Sequence, residues 1–241
     1  MAELDPETDL SNVDQRRRAS DATPFAPRFT AAVVLAEVLG LVGIALYNWW
    51  VYVAATGNLM RSSDEFFSDL EAVGRPDAAL LQHLDLAAGL VLLTALLLRG
   101  PRGPLGRRSE WIWLVAFSVS GAIGGHFAYA CQEGLSAACR SDEWHLQLPL
   151  HHYLHVVSGV VEFATVTLAV FLMRKRTLHQ STVVARVVAS VWWTLLVAYP
   201  LLGAAYLSDR FGAYIEPVFF LCFSAIVAIE ILERRGSKVV E

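Results

Sequence analysis

Six apolar runs of about twenty residues each, separated by short polar connectors, leave this chain almost one way to fold. They cover residues 31–55, 78–98, 111–130, 152–173, 183–207 and 213–232. A helix of about twenty residues crosses roughly 30 Å of hydrocarbon, and each run is continuous where a barrel strand would alternate. Helices satisfy their own backbone hydrogen bonds inside lipid, so the expected fold is all-α, a six-helix transmembrane bundle. Composition agrees, with 55% hydrophobic and only 17% charged residues, the latter packed into the connectors.

The connectors sort by charge. If both termini are cytoplasmic, the inner side receives Arg16, Arg17, Arg18, Arg28, Arg99, Arg102, Arg107, Arg108, Arg174, Lys175, Arg176, Arg186, Arg234, Arg235 and Lys238, while the outer side has only Arg61, Arg75, Arg140 and Arg210. That split of fifteen to four predicts a multi-pass protein of the cell membrane with both ends inside. Trp49, Trp50, Trp111 and Trp113 fall near span ends, where interfacial anchors belong. Residues 1–29 are polar and lack a hydrophobic signal core, which predicts a disordered cytoplasmic tail. The bundle then occupies 30–233 and a second cytoplasmic tail 234–241, the first span serving as an uncleaved anchor. No connector is long enough to bury a separate core.

Two outer loops carry more than linkage. In the first, Ser62 and Glu65 have the spacing of a capping box, and Gly74 with Pro76 supplies a stop, so a short helix is expected along the membrane surface or over the bundle end. In the second, Cys131 and Cys139 lie on the side where disulfides persist, and a bond between them is expected. Cys222, inside the last run, reads as a packing residue.

The fourth run carries the main chemical signal. His151, His155, Ser158 and Glu162 are spaced by four, three and four, which stacks them within about 60° of one another on one helical face. Thr165 extends the stripe. Glu162 sits ten residues below the outer end, roughly 15 Å deep at 1.5 Å per residue. An intramembrane carboxylate costs a few kcal/mol or more and calls for a partner or a task. Neighbouring runs bring His83, Asp85, His126, Tyr129, Asn48, Tyr199 and Glu216 to the outer half, with His145 and His152 at the surface. Together they outline a polar cavity facing outward. Glu37, near the inner face, reads as a snorkelling side chain.

On this pattern Glu162, Asp85 and Ser158 are candidate catalytic groups, and His151, His155 and His126 are candidate ligands of a divalent metal such as zinc. Each has a structural alternative, since a buried carboxyl also serves as interhelical glue and a terminal histidine as an interfacial polar group. Gly121, Gly124 and Gly125 strip bulk from the third run and read as a close helix contact more than as substrate space. Phosphate-binding glycine loops, GxSxG, HExxH and nucleic-acid signatures are missing, so nucleic acid is not an expected partner.

The stretches FSDLEAVGRPDA, DLAAGL at 85–90, the glycine pair before the cysteine loop and LPLHHYLH entering the fourth run together resemble the domain-of-unknown-function 998 family of bacterial membrane proteins. That resemblance covers most of the chain after residue 30 and implies a compact multi-span protein without an activity to carry over. A weaker likeness is to membrane hydrolases of the alkaline ceramidase and adiponectin receptor type, through His126, His151, His155, Ser158 and Asp85. Six runs instead of seven, and no histidine pair in the last, depart from that pattern.

Three functions follow as expectations. The first is an accessory or lipid-like-ligand-binding protein of the bilayer. An enzyme acting on a lipid-like substrate, either a metal-dependent hydrolase or an isomerase or cyclase using a carboxylic acid, is the alternative. A small proton-coupled transporter ranks last, lacking internal repeats and Pro or Gly breaks in paired spans.

Overall fold

The structure, a computed structural model, describes residues 31–51, 62–101, 105–208 and 210–232; the tails at 1–29 and 234–241 lie outside them. In chain order the helices are α1 (Ala31–Tyr47), α2 (Phe67–Leu70), α3 (Ala78–Arg99), α4 (Leu105–His126), α5 (Ala137–Trp144), α6 (Leu150–Thr177), α7 (Val183–Ser208) and α8 (Gly212–Leu232), with a 3-10 turn at Glu133–Leu135. Among the described residues the fold is all-α. Its one β-type contact is a bridge between Ala72 and Tyr129.

Four helices, α3, α6, α7 and α8, are long and apolar enough to cross a membrane. The other two apolar runs depart from the simple pattern for visible reasons. α4 starts earlier than its run and carries Arg107, Arg108 and Glu110 in its opening turns. α1 stops at Tyr47, and the chain turns at Asn48 and Trp49, where the apolar run had promised an unbroken helix. Pro200 and Pro217 sit inside α7 and α8, each removing one backbone donor. The sequence reading had counted no such breaks.

α4 lies between α3 and α6 in the two most extensive helix contacts, and α7 packs against α6 and α8. Glycine makes the α3–α4 approach possible. A side chain at Gly89 would run into the backbone of Ala122, and one at Gly125 into the backbone of Asp85 and Leu86. α1 joins through Gly40 against Ile231 and Gly43 against Leu92, and Asn48 Nδ2 donates to Ser224 Oγ of α8 at 2.7 Å. Between the helices lies a core that includes Phe117, Phe219, Phe223, Leu92, Leu96 and Met173, all buried. Facing outward are Val160, Val197 and Leu221, 65%, 63% and 57% exposed. An apolar outer surface this continuous suits a lipid environment, whereas in water it would aggregate.

The two ends of the bundle differ. At one end Arg99 pairs with Glu37 at 3.3 Å and Arg176 with Glu110 at 3.0 Å. Glu37 is thus half of an ion pair instead of a snorkelling group. The opposite end carries a cap built from the 62–77 and 127–149 connectors. Val73 N–H donates to the Tyr129 carbonyl at 2.9 Å, Gly134 N–H to Asp69 Oδ2 at 3.3 Å, and Arg140 Nη2 to the Tyr206 carbonyl at 2.6 Å. Cys131 and Cys139 are disulfide-bonded, with Cα atoms 6.0 Å apart, as their location predicted.

The short helix expected in the first connector exists, one turn long and displaced. Ser62 and Glu65 close a turn before it, with Ser62 N–H donating to Glu65 Oε2 at 3.1 Å. The helix itself opens where Phe66 N–H meets Asp69 Oδ2 at 3.0 Å. Phe67, Asp69 and Leu70 are all buried, so this element plugs the bundle end and does not lie on a membrane surface. Trp49 likewise is 5% exposed and points inward, unlike an interfacial anchor.

Candidate functional site

The polar stripe of the fourth run meets its neighbours in an internal cavity of about 60 Å³ between α1, α3, α4 and α6. Asp85 comes from α3, Tyr47 from α1, and His155, Ser158 and Glu162 from α6. The far wall is glycine. A side chain at Gly121 would stand 3.6 Å from the Glu162 carboxyl, and one at Gly124 would lie 3.0 Å from Ser158 Oγ. Of the three glycines first read as packing, Gly125 does pack, while Gly121 and Gly124 make room for polar groups.

Each group is held in place. Tyr47 hydroxyl hydrogen-bonds the Glu162 carboxyl, and Trp49 Nε1 donates to Asp85 Oδ1. His155 Nδ1 lies 3.0 Å from the Gly124 carbonyl and 2.9 Å from that of Phe127. Carbonyls only accept, so Nδ1 carries the hydrogen and Nε2 is the basic nitrogen when the ring is neutral. The ring thereby bonds the Phe127 carbonyl just past the end of α4 and shares the Gly124 carbonyl with the Phe127 N–H. Asp85 is within electrostatic reach of it. Ser158 Oγ donates to the His155 carbonyl at 2.6 Å, which spends its proton on its own helix. A serine bonded in this way is not set up as an activated nucleophile.

The metal reading does not assemble. Among the described residues no group of three or more His, Cys, Asp or Glu side chains is placed to hold an ion. His126 ends α4 exposed, its ring against Phe127, and His151 stands half-buried at the start of α6, outside the cavity wall. Helical spacing put His151 and His155 on one face, but the cap turns the two rings to different surroundings. His83 is exposed, its Nδ1 bonded to the Ala79 carbonyl of its own helix.

Sequence reasoning missed Tyr47, Trp49 and Glu71. Trp49 reads as a span-end anchor, and no pattern marks Tyr47 or a loop glutamate such as Glu71 for burial. His152, read as a surface group, is fully buried in the cap. Its Nδ1 accepts from Ala130 N–H at 3.3 Å, so its Nε2–H faces Glu143 Oε2 at 3.4 Å. Tyr129 hydroxyl donates to Glu133 Oε2 at 2.9 Å, and Tyr206 hydroxyl donates to Glu143 Oε1 at 3.1 Å. The rings of His152 and His155 both rest against Tyr129.

Two carboxyls in this cap are pushed apart. Burial, reinforced by the adjacent Glu143, raises Glu133 from 4.5 to about 7. For Glu143 burial acts upward too, but the bonds from His152 and Glu133 outweigh it and lower the group. Asp69, buried at the same junction, rises to about 6 despite backbone donors at Phe66 and Gly134. A carboxyl raised on folding binds its proton more tightly in the folded state, so stability falls as pH climbs from 4.5 to about 7. The protein should melt lower at about pH 8 than at about pH 5.5, and Glu133→Gln should narrow that gap. A gap unchanged by the substitution would show that Glu133 is ionised throughout.

A helical bundle with an apolar exterior, an acid-lined internal cavity and a capped end defines an integral-membrane protein with a polar interior. The chain belongs to the family described as protein of unknown function (DUF998), whose profile matches residues 41–231 of the 241. No curated protein and no solved structure matches it.

Proposed function

We propose that the chain is a six-span protein of the cell membrane with both termini cytoplasmic, whose cavity takes up and releases protons from the outer half of the bilayer. The charge sorting of the connectors supports the orientation, since the cap end is poor in Lys and Arg. One observation carries the proton reading. Among the described residues, Glu162 and Asp85 face a cavity whose other polar side chains are Tyr47, Ser118, His155 and Ser158, with no arginine or lysine in its lining. About 60 Å³ holds a few water molecules at roughly 10–15 Å³ each, and does not hold an acyl chain. A lipid-like ligand would therefore have to rest on the outer surface of the bundle. In an accessory protein of this kind the cavity serves as an acid–base element for a partner or for the membrane itself.

In this role Glu162 is the proton carrier, Tyr47 its donor when ionised, and His155 a positioning residue that seals the end of α4. The test is a pH jump across neutrality on the full chain in lipid vesicles. Wild type should take up a proton that Glu162→Gln does not, with both proteins melting at the same temperature, because Gln still accepts from Tyr47. Equal uptake by the two would overturn the reading.

A further inference from the structure

We infer that Glu71 and Asp85 hold one proton between them, forming a second proton-binding site where the first connector meets the cavity wall. It deepens the reading of the cavity as a proton site but stands on separate contacts. Glu71 follows α2 and is 2% exposed, and its Oε2 meets no hydrogen-bond donor. The side chain in hydrogen-bonding contact with it is Asp85. Two ionised carboxylates have only acceptors to offer each other. With one proton between them, the same contact becomes a charge-assisted O–H···O bond.

Among the described residues no arginine or lysine faces the pair. The charged groups facing Glu71 are Asp85 of α3, Glu162 of α6 and Glu216 of α8, all acids. Asp85 faces Glu71, the Trp49 indole of α1 and His155 of α6, and lies within electrostatic reach of Glu162 and Glu216. Arg75, the arginine nearest in sequence, is turned to Glu65 at 3.2 Å. Burial and these neighbours raise the Glu71 carboxyl well above the ordinary range, which favours a proton held within the pair. Nor is the contact that of a loose loop, because Gln82 Nε2 of α3 donates to the Glu71 carbonyl at 3.2 Å.

Protonation here moves nothing but a proton. Glu71–COOH can pass it to the Asp85 carboxylate at the cavity wall and take it back, the pair holding one proton throughout. Infrared spectroscopy of the full chain in lipid, with the glutamate carboxyls isotopically labelled, reads the pair directly. Wild type above neutral pH should show a protonated glutamate carbonyl band that shifts on deuteration. It should vanish in Glu71→Gln, move in Asp85→Asn, where its acceptor changes, and persist in Glu162→Gln. Glu71→Gln should still fold, since its amide donates to Asp85 as the acid does. Should that variant misfold, the labelled wild type compared with Asp85→Asn decides the matter. A wild-type spectrum without the band, or with one indifferent to both Glu71 and Asp85, overturns the inference. The band without proton uptake by Glu162 would sink the cavity reading and leave this pair standing.

Discussion

Arg75→Ala should cost about 3–5 kcal/mol, the range for removing one partner of a buried ion pair. Arg75 and Glu65 lie 3.2 Å apart with side chains 2% and 0% exposed, so the substitution leaves a carboxylate in the cap with water kept out. The damage should be local at first. Glu65 anchors the turn that precedes α2, and α2 plugs the bundle end, so amide exchange should rise there before it rises in α6. Replacing both partners, as in Glu65→Gln with Arg75→Met, should return most of the stability, because an uncharged pair of similar size leaves no buried charge uncompensated. Thermal melting in detergent checks both. A single variant that melts with wild type would mean the pair is already solvated.

The second large effect lies at the crossing of α3 and α4. Gly125→Leu should prevent the bundle from forming, since even a Cβ there meets the backbone of Asp85 and Leu86, with Gln82 O 2.9 Å away. Backbone cannot rotate aside as a side chain can, so the cost should exceed the ~1–3 kcal/mol of ordinary overpacking. Gly121→Ala makes the useful comparison. Its Cβ would sit at ordinary contact distance, 3.6 Å, from Glu162, and it should fold while shrinking the cavity. Yield of monodisperse protein separates the two, and equal yields would contradict the packing assigned to Gly125.

This contrast shows what the residues alone disclose. Three glycines in one apolar run announce a close approach, but which faces a helix and which faces a carboxylate depends on the rotation of α4 about its axis. Hydropathy does not encode that angle. It does encode length, so the boundaries of α3, α7 and α8 follow their apolar runs within a residue or so. The spacing of Ser158 and Glu162 puts them on one face, and Asp85 lines the same cavity because it lies at matching depth on a neighbouring helix. His126 and His151 failed as partners because depth matched while direction did not. The cap was least legible of all. Its bonds join residues far apart in the chain, such as Asp69 to Gly134, and no local pattern marks Glu71, Glu133 or His152 for burial.

The bond from Asn48 to Ser224 has a bearing on how the protein is made. It joins positions 176 residues apart, and Gly40 of the same helix nests against Ile231. The earliest described helix to be synthesised therefore waits in the bilayer for the latest, with Asn48 bonded locally to the Ile44 carbonyl and to Trp50 Nε1 until Ser224 arrives on α8. During that interval Tyr47 has the Phe117 ring of α4 on one side and lacks the Phe220 ring of α8 that it packs against in the finished bundle. Ribosome-bound chains halted before α8 should accordingly hold α1 loosely against the rest of the bundle, and completion of the last helix is the event that fixes the α1 wall of the compartment.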